Sequence, residues 1–266
     1  MGAVAGDTPD RDFVVALCRD AGRMMVERLG SVHDVTRKGE VDLVTEVDLV
    51  LGERITEQIN SRFPEHSVLS EERWDGETAT LADYVWLVDP LDGTTNYVHG
   101  YPAFCVSVAL AQRGDVLIGC VFDPLHDELF YAEKGGGATL NGSRIWASDE
   151  NRLISSLLST GFPYVRGSVA EQNVAFLKKL LPTIQGVRRS GSLALDLAYV
   201  AAARLDGHWE LNVKPWDTAA GGLLIKEAGG DISNMRGEAW SPFKEDVVAT
   251  NGKIHQELLG ILQSAG

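Results

Sequence analysis

Apolar side chains return at roughly helical spacing at Phe13, Leu17, Met24, Met25 and Leu29, which predicts an amphipathic helix over 12–29. A second stripe, Leu51, Ile55, Ile59 and Phe63, repeats one turn apart and runs into Pro64, so a helix is predicted after Asp48 and before that proline. Between the two, 38–45 reads as a turn and then a short extended run at 41–44. The period then changes. Residues 84–88 (Tyr-Val-Trp-Leu-Val) form a continuous apolar run of strand length, expected to stop abruptly at Asp89-Pro90-Leu91-Asp92-Gly93. Strands are predicted next at 103–111, 116–122 and 128–132, with turns at Arg113-Gly114-Asp115 and Asp123-Pro124.

The rest of the chain alternates. Strands are predicted at 153–159, 208–211, 231–233 and 247–249, and helices at 169–181, 193–204, 217–228 and from about 253 to 263. The pattern is therefore α+β in an N-terminal half, 1–150, with a mostly antiparallel sheet, and mixed α/β in a C-terminal half, 151–266. No repeat and no Pro/Ser-rich seam separates the halves, so they are expected to pack as one compact catalytic unit.

Composition narrows the function. With 44% hydrophobic and 23% charged residues the 266-residue chain has globular, not disordered, composition. Its 24 Lys and Arg against 38 Asp and Glu leave a formal net charge of −14, which argues against a broad basic face for nucleic acid. Such acidity fits a solvated surface or carboxylates gathered around cations, and composition leaves both open. Residues 93–112 lack charged side chains, but Asn96, His99, Gly100 and Pro102 interrupt them, so no membrane span is expected. Cys18, Cys105 and Cys120 are odd in number and widely spaced, and no signal peptide is visible. Buried thiols in a reducing, cytoplasmic compartment are expected, and the Asn141-Gly142-Ser143 sequon is read as chance.

The most informative string is Val88-Asp89-Pro90-Leu91-Asp92-Gly93-Thr94-Thr95-Asn96. Pro90 fixes its own φ and biases Asp89 toward extended geometry, while Gly93 permits a tight turn. A strand end of this kind can aim two carboxylates and the Leu91 carbonyl at one point, the oxygen cluster that Mg²⁺ prefers. A helix starting at Gly93-Thr94 would add N–H groups for a phosphate. An Asp-x-x-Asp pair by itself is common in turns; the whole string is not. Glu71-Glu72 after Val68-Leu69, and Asp217 after Pro215-Trp216, repeat the same form, an acid closing an apolar or proline-bearing segment. Their plain alternatives are a solvated Glu72 and an Asp217 that serves as a helix N-cap.

These strings resemble the inositol monophosphatase family of metal-dependent, lithium-sensitive phosphatases. The resemblance rests on Trp86 to Asn96 with Ser70-Glu71-Glu72 upstream, on Trp216-Asp217-Thr218-Ala219-Ala220-Gly221 with Glu227-Ala228-Gly229-Gly230, and on Lys38-Gly39 through Asp42-Leu43-Val44-Thr45-Glu46-Val47-Asp48. It spans nearly the whole chain and implies a layered α-β-α-β-α fold, usually a homodimer, that hydrolyses a small phosphorylated polyol. By the same resemblance, Glu71, Asp89 and the Leu91 carbonyl would hold a first Mg²⁺, and Asp89, Asp92 and Asp217 a second. Glu71 would also help to place a third ion through waters. Thr94, hydrogen-bonded to Asp48, would orient and help deprotonate the attacking water. Gly93 and Thr94 would bind phosphate through their N–H groups, Glu210 a hydroxyl of the alcohol, and Gly191 and Leu193 would line the substrate pocket. The chemistry is coherent: cations neutralise an ester dianion that otherwise repels the nucleophile, and a bridging carboxylate, here Asp89, holds two of them together.

Myo-inositol 1-phosphate is the expected substrate within this resemblance, on the Asp-Gly-Thr-Thr-Asn form, Thr160-Gly161-Phe162-Pro163-Tyr164 and Arg189-Ser190-Gly191-Ser192. Histidinol phosphate, fructose 1,6-bisphosphate and 3′-phosphoadenosine nucleotides compete with it. Leu193 departs from the small alanine usual there. Lys38 is read as screening the acids or as a surface lysine. His99 and Cys105 are read as packing or surface residues, and Gly135-Gly136-Gly137 as a hairpin turn and not a phosphate loop. Arg188 to Ser192 is a candidate substrate rim and possible subunit contact. A regulatory binding protein on this fold is the alternative of another class. Its mark would be a lost metal ligand, and none is missing.

Overall fold

A computed structural model of the chain describes residues 9, 11–30, 35–37, 43–74, 82–162 and 168–265. In chain order its elements are α1 (Arg11–Arg28), β1 (Val35–Arg37), β2 (Leu43–Thr45), α2 (Glu46–Arg62), β3 (Ser67–Ser70), β4 (Tyr84–Asp92), α3 (Thr94–His99), β5 (Cys105–Gln112), β6 (Asp115–Asp123), β7 (Glu128–Glu133), β8 (Gly137–Leu140) and β9 (Ser143–Arg144). There follow β10 (Leu157–Thr160), α4 (Ser168–Leu180), β11 (Gly186–Arg188), α5 (Leu193–Ala201), β12 (Gly207–Leu211), α6 (Pro215–Glu227), β13 (Asp231–Ser233), β14 (Asp246–Thr250) and α7 (His255–Gln263).

Strands β3 to β9 pair in chain order into a seven-stranded sheet, parallel only between β3 and β4. The second sheet has five strands in the order β11-β10-β12-β14-β13, parallel on one side and antiparallel on the other. Both are covered on two faces, which explains the continuous apolar runs. In β4, Trp86 and Val88 pack under α1 and α2 with Leu17, Met25, Leu51 and Ile55. Val85 and Leu87 point the other way, into the layer of α5 and α6. In β14, Val247 and Ala249 face that same helix layer, whereas Val248 joins Phe176, Leu180, Leu258 and Leu262 of α4 and α7. The result is the layered α-β-α-β-α arrangement. Small residues let the middle layer approach the first sheet at one point: α6 passes so close to β6 that a Cβ on Gly119 would stand 2.8 Å from the Ala220 carbonyl.

Several boundaries differ from the sequence expectation for local reasons. The helix expected after Asp48 starts at Glu46, because the Thr45 side chain caps it. The strand expected to stop at Asp89 runs through to Asp92 over an irregularity. The strand predicted at 153–159 is a 3₁₀ turn, Leu153–Ser155, followed by the shorter β10. The helix predicted over 193–204 ends at Ala201. The short strands β8, β9 and β11 had no clear alternation to reveal them. Lys38 and residues 41 and 42 of the extended run predicted at 41–44 lie outside the described residues, as do Pro163 and Tyr164; the rest of that run, 43–44, falls in β2. No described helix is long and apolar enough to cross a membrane.

Leu197 of α5 is fully buried between the sheets. Leu197→Ala is expected to lower the free energy of unfolding by about 2–5 kcal/mol, measured by urea denaturation. A change within ±0.5 kcal/mol, the scale of surface substitutions, would show that the middle layer is not tightly packed.

Candidate active site

Parallel pairing brings the first acids together. β3 pairs with β4 in a register whose last pair is Ser70 and Val88, so the pairing ends there, and the next residue of each strand is an acid, Glu71 and Asp89. Glu71 opens a 3₁₀ turn, Glu71–Arg73. Beyond Asp89 the pairing with β5 slips. Asp89 opposes Ser107 and Asp92 opposes Cys105, so β4 carries one residue more than its partner. Pro90 has no N–H to give to the ladder, and the Leu91 N–H turns back to Asp89 Oδ1 at 3.0 Å. The bulge is followed by Gly93 at φ 98°, where a side chain would also strike the Ala103 carbonyl at 2.8 Å. α3 then starts at Thr94.

Two helix starts add the other acids. Asp48 is the third residue of α2. Its Oδ2 accepts from the Thr45 N–H at 2.8 Å and from the Thr45 hydroxyl, completing a capping box. Its Oδ1 accepts from Thr94 Oγ1 at 2.8 Å, and that hydroxyl also lies 3.1 Å from the Leu91 carbonyl. Asp217 is the third residue of α6, not its N-cap, and accepts the Lys214 N–H at 2.7 Å. The start of α6 is fixed to the first sheet by Ser107 Oγ, 3.1 Å from the Trp216 carbonyl.

Glu71, Asp89, Leu91, Asp92, Gly93, Thr94 and Asp217 line one cavity of about 500 Å³, and Gly191, Leu193 and Glu210 are also on its walls. Asp89 is 2% exposed. Burial, then repulsion from Glu71, Asp92, Asp217 and Asp48, holds its carboxyl well above the usual range. Burial followed by Glu71 does the same to Asp217. Burial also raises Asp92 and Asp48 against the hydrogen bonds they accept. Among the described residues no three His, Cys, Asp or Glu side chains close on a point as a formed metal cluster does. The acids stand around the cavity, an oxygen-only donor set whose mutual repulsion a hard cation would relieve.

Other residues took roles that the sequence did not reveal. Asp92 accepts from Ser192 Oγ at 2.6 Å and the Ala194 N–H at 2.8 Å, and the Cys105 thiol lies 3.6 Å away, so Cys105 is a partner of the site and not only packing. Asn96 Nδ2 ties α3 to the rim by donating to the Ala103 and Ser190 carbonyls. Of the candidate rim, Arg189 lines the cavity, whereas Arg188 sits exposed on β11. Glu72 also lines the cavity and is not simply solvated. Asp196 of α5 lies 3.6 Å from His208, and burial pushes its carboxyl up to about 7. His99 is exposed, and the triple glycine is the β7–β8 turn, its Gly135 and Gly137 N–H groups held by Glu227 at 2.7 Å each. The Thr45-x-x-Asp48 spacing was the one available signal for a cap.

The model described as the inositol monophosphatase family matches residues 7–266. The chain is 39% identical over 261 residues to a Pseudomonas aeruginosa protein named Nus factor SuhB, covering 96% of each. It is similar in structure to the inositol monophosphatase from Anabaena (Nostoc) sp. PCC 7120, with a TM-score of 0.85, 40% identity and coverage of 96% and 95%. A second solved structure, an IMPase/NADP phosphatase complexed with Mg²⁺ and phosphate, superposes with a TM-score of 0.84 at 25% identity, covering 96% of this chain and 95% of that one.

The raised carboxyls make a stability prediction. The folded chain binds more protons than the unfolded chain between the ordinary carboxylate range and the raised values, so stability falls as pH rises through that window. In cation-free buffer the melting temperature is expected to drop as pH rises from the ordinary carboxylate range through the raised values. Asp89→Asn should flatten that drop and raise the melting temperature at the upper end. An unchanged profile in the variant would mean that the acids do not repel one another in the folded state.

Proposed function

The chain belongs to the inositol monophosphatase family, and from that premise we propose that it hydrolyses a phosphate monoester of a small polyol, myo-inositol 1-phosphate first among them, with Mg²⁺ as cofactor. The observation that carries the reading is the convergence of Glu71, Asp89, Asp92 and Asp217 on one cavity that Thr94, hydrogen-bonded to Asp48, also lines. The donor set supports magnesium, being all oxygen and short of positive charge. Glu71, Asp89 and the Leu91 carbonyl would hold one ion, and Asp89, Asp92 and Asp217 another. When bound, the ions supply charge neutralisation of the ester and acidify the attacking water.

The remaining steps belong to the chain's own groups. Thr94 receives the proton of the attacking water while its own hydroxyl proton moves toward Asp48. Asp48 suits that task, because burial raises its affinity for a proton. The N–H groups of Gly93 and Thr94 hold the phosphoryl oxygens. Glu210 accepts a hydroxyl of the alcohol, and Gly191 and Leu193 shape the wall beside it. Leu193, 8% exposed at the start of α5, narrows the cavity where a smaller residue would leave it wider. The resemblance adds a cytoplasmic homodimer to this reading. The name of the Pseudomonas relative favours a second one, a regulatory role of the Nus-factor kind carried on the same fold.

Phosphate release from inositol 1-phosphate, histidinol phosphate, fructose 1,6-bisphosphate and a 3′-phosphoadenosine nucleotide, with Mg²⁺, with chelator and with Mg²⁺ plus Li⁺, tests these readings together. Mg²⁺-dependent, Li⁺-sensitive preference for the inositol ester is expected. Preference for another ester would reassign the substrate, and folded protein that hydrolyses none would favour the regulatory role. Asp89→Asn should lower kcat by at least about 10²–10³-fold, the scale of one lost transition-state charge contact. Glu210→Gln should discriminate among the esters more than it weakens the Mg²⁺ requirement; equal losses on every ester would refute its role.

A further inference from the structure

The structure points to His208 as a positioning residue: we infer that its imidazole sets the Glu210 carboxylate for the alcohol half of the substrate. The inference rests on the reading of Glu210 given above and goes beyond it to a residue outside the cavity wall. His208 and Glu210 alternate on β12 with Trp209 and Leu211, which point into the layer of α4 and α7. The cross-strand partners of His208 are Ser159 on β10 and Ala249 on β14, so the ring has a polar neighbour on one side and an apolar one on the other. His208 is fully buried, and both ends of its ring meet a carboxylate. Nδ1 lies 2.8 Å from Ser159 Oγ and 3.6 Å from Asp196, and Nε2 lies 3.3 Å from Glu210 Oε2.

The Nε2 contact is close but lacks hydrogen-bond geometry, so this is a buried ring nitrogen without a bonded partner, and among the described residues no other histidine nitrogen is in that position. Such a vacancy is unfavourable unless a partner moves to fill it. Glu210 is the group within reach, and its freedom is limited on the other side. A Cβ on Gly161 would stand 2.0 Å from Oε1, so the carboxylate occupies the gap between that backbone and the imidazole. Where Ser159 donates to Nδ1, the ring proton is on Nε2, the nitrogen 3.3 Å from Glu210 Oε2. A substrate hydroxyl donating to Glu210 draws the carboxylate into line with Nε2–H and completes both bonds together.

The experiment compares inositol 1-phosphate with p-nitrophenyl phosphate, an ester without the polyol, in the Mg²⁺-loaded enzyme. His208→Phe keeps the ring and removes both nitrogens. It is expected to raise KM for the inositol ester by at least about 5-fold, with a smaller change in kcat, and to cost the aryl ester less. His208→Gln, whose amide reaches Glu210, should recover most of that KM, and the His208→Phe/Glu210→Gln double variant should be no worse than Glu210→Gln alone. Equal losses on both esters, or additive effects in the double variant, would overturn the inference. Discrimination by Glu210→Gln without discrimination by His208→Phe overturns the His208 assignment alone. Absence of discrimination in both overturns the reading of Glu210 and the assignment with it. If thermal melting shows that His208→Phe does not fold, His208→Gln against the shorter His208→Asn carries the same comparison.

Discussion

Acids of one charge are held in one buried cavity, and their repulsion is the constraint on which the rest of the site depends. Each ionised carboxylate loses hydration on burial and then meets its neighbours' fields at low dielectric. Left alone, the cluster would protonate or splay apart. The fold offsets this with directed hydrogen bonds from rigid elements. Asp48 lies in the first turn of α2, Asp217 in the first turn of α6, and Asp92 accepts the Ala194 N–H from the first turn of α5. Each is therefore tied to the start of a different helix, where unpaired N–H groups and the helix dipole favour negative charge by about 0.3–1 kcal/mol each, more when partly buried. Asp89 has no such helix and feels the charges of Glu71, Asp92, Asp217 and Asp48 together, which is why it suits a position between cations.

The same connections explain why the two sheets form one site. Asp92 leaves the first sheet and takes its hydrogen bonds from Ser192 and Ala194, at the start of a helix in the middle layer. Asn96 reaches the Ser190 carbonyl from the same loop. Ser107, on β5, holds the Trp216 carbonyl one residue before Asp217. The acids on the first sheet and Glu210 on the second are thus joined through the middle helices. A rigid frame of this kind holds reacting groups in a productive arrangement with little further loss of entropy on binding.

How much of this was legible in the sequence follows from the range of each contact. The string from Val88 to Asn96 was readable because its signals are local: an apolar strand, a proline that removes a ladder bond, a glycine at positive φ and two acids. The layering was legible through the family resemblance; that residues 84–88 are apolar on both alternating faces agrees with a sheet covered on both sides. Asp48 and Asp217 were found as acids, but their place in the helix was not read correctly, since the capping partners Thr45 and Lys214 were passed over. The partners of Asp92 were not legible at all. Ser192 and Ala194 lie about 100 residues along the chain, and only the packed helix layer brings them near. Cys105 looked like core because it is core; its thiol meets Asp92 only through the slipped register at the end of β4.

The register slip also separates two kinds of residue within one strand end. An unbroken ladder would have alternated the side chains of Asp89, Pro90, Leu91 and Asp92 across the sheet, placing the two acids on opposite faces. One extra residue on β4 changes that parity, so Asp89 and Asp92 line the same cavity and Leu91 stays 1% exposed. Pro90 makes the slip inexpensive, since no N–H is left unsatisfied at the bulge, and the Leu91 N–H is recovered by Asp89 itself. The paired carboxylates that define the site are therefore a consequence of backbone register. The proline between them, which touches no substrate in this scheme, is as necessary to their geometry as the acids are to the chemistry.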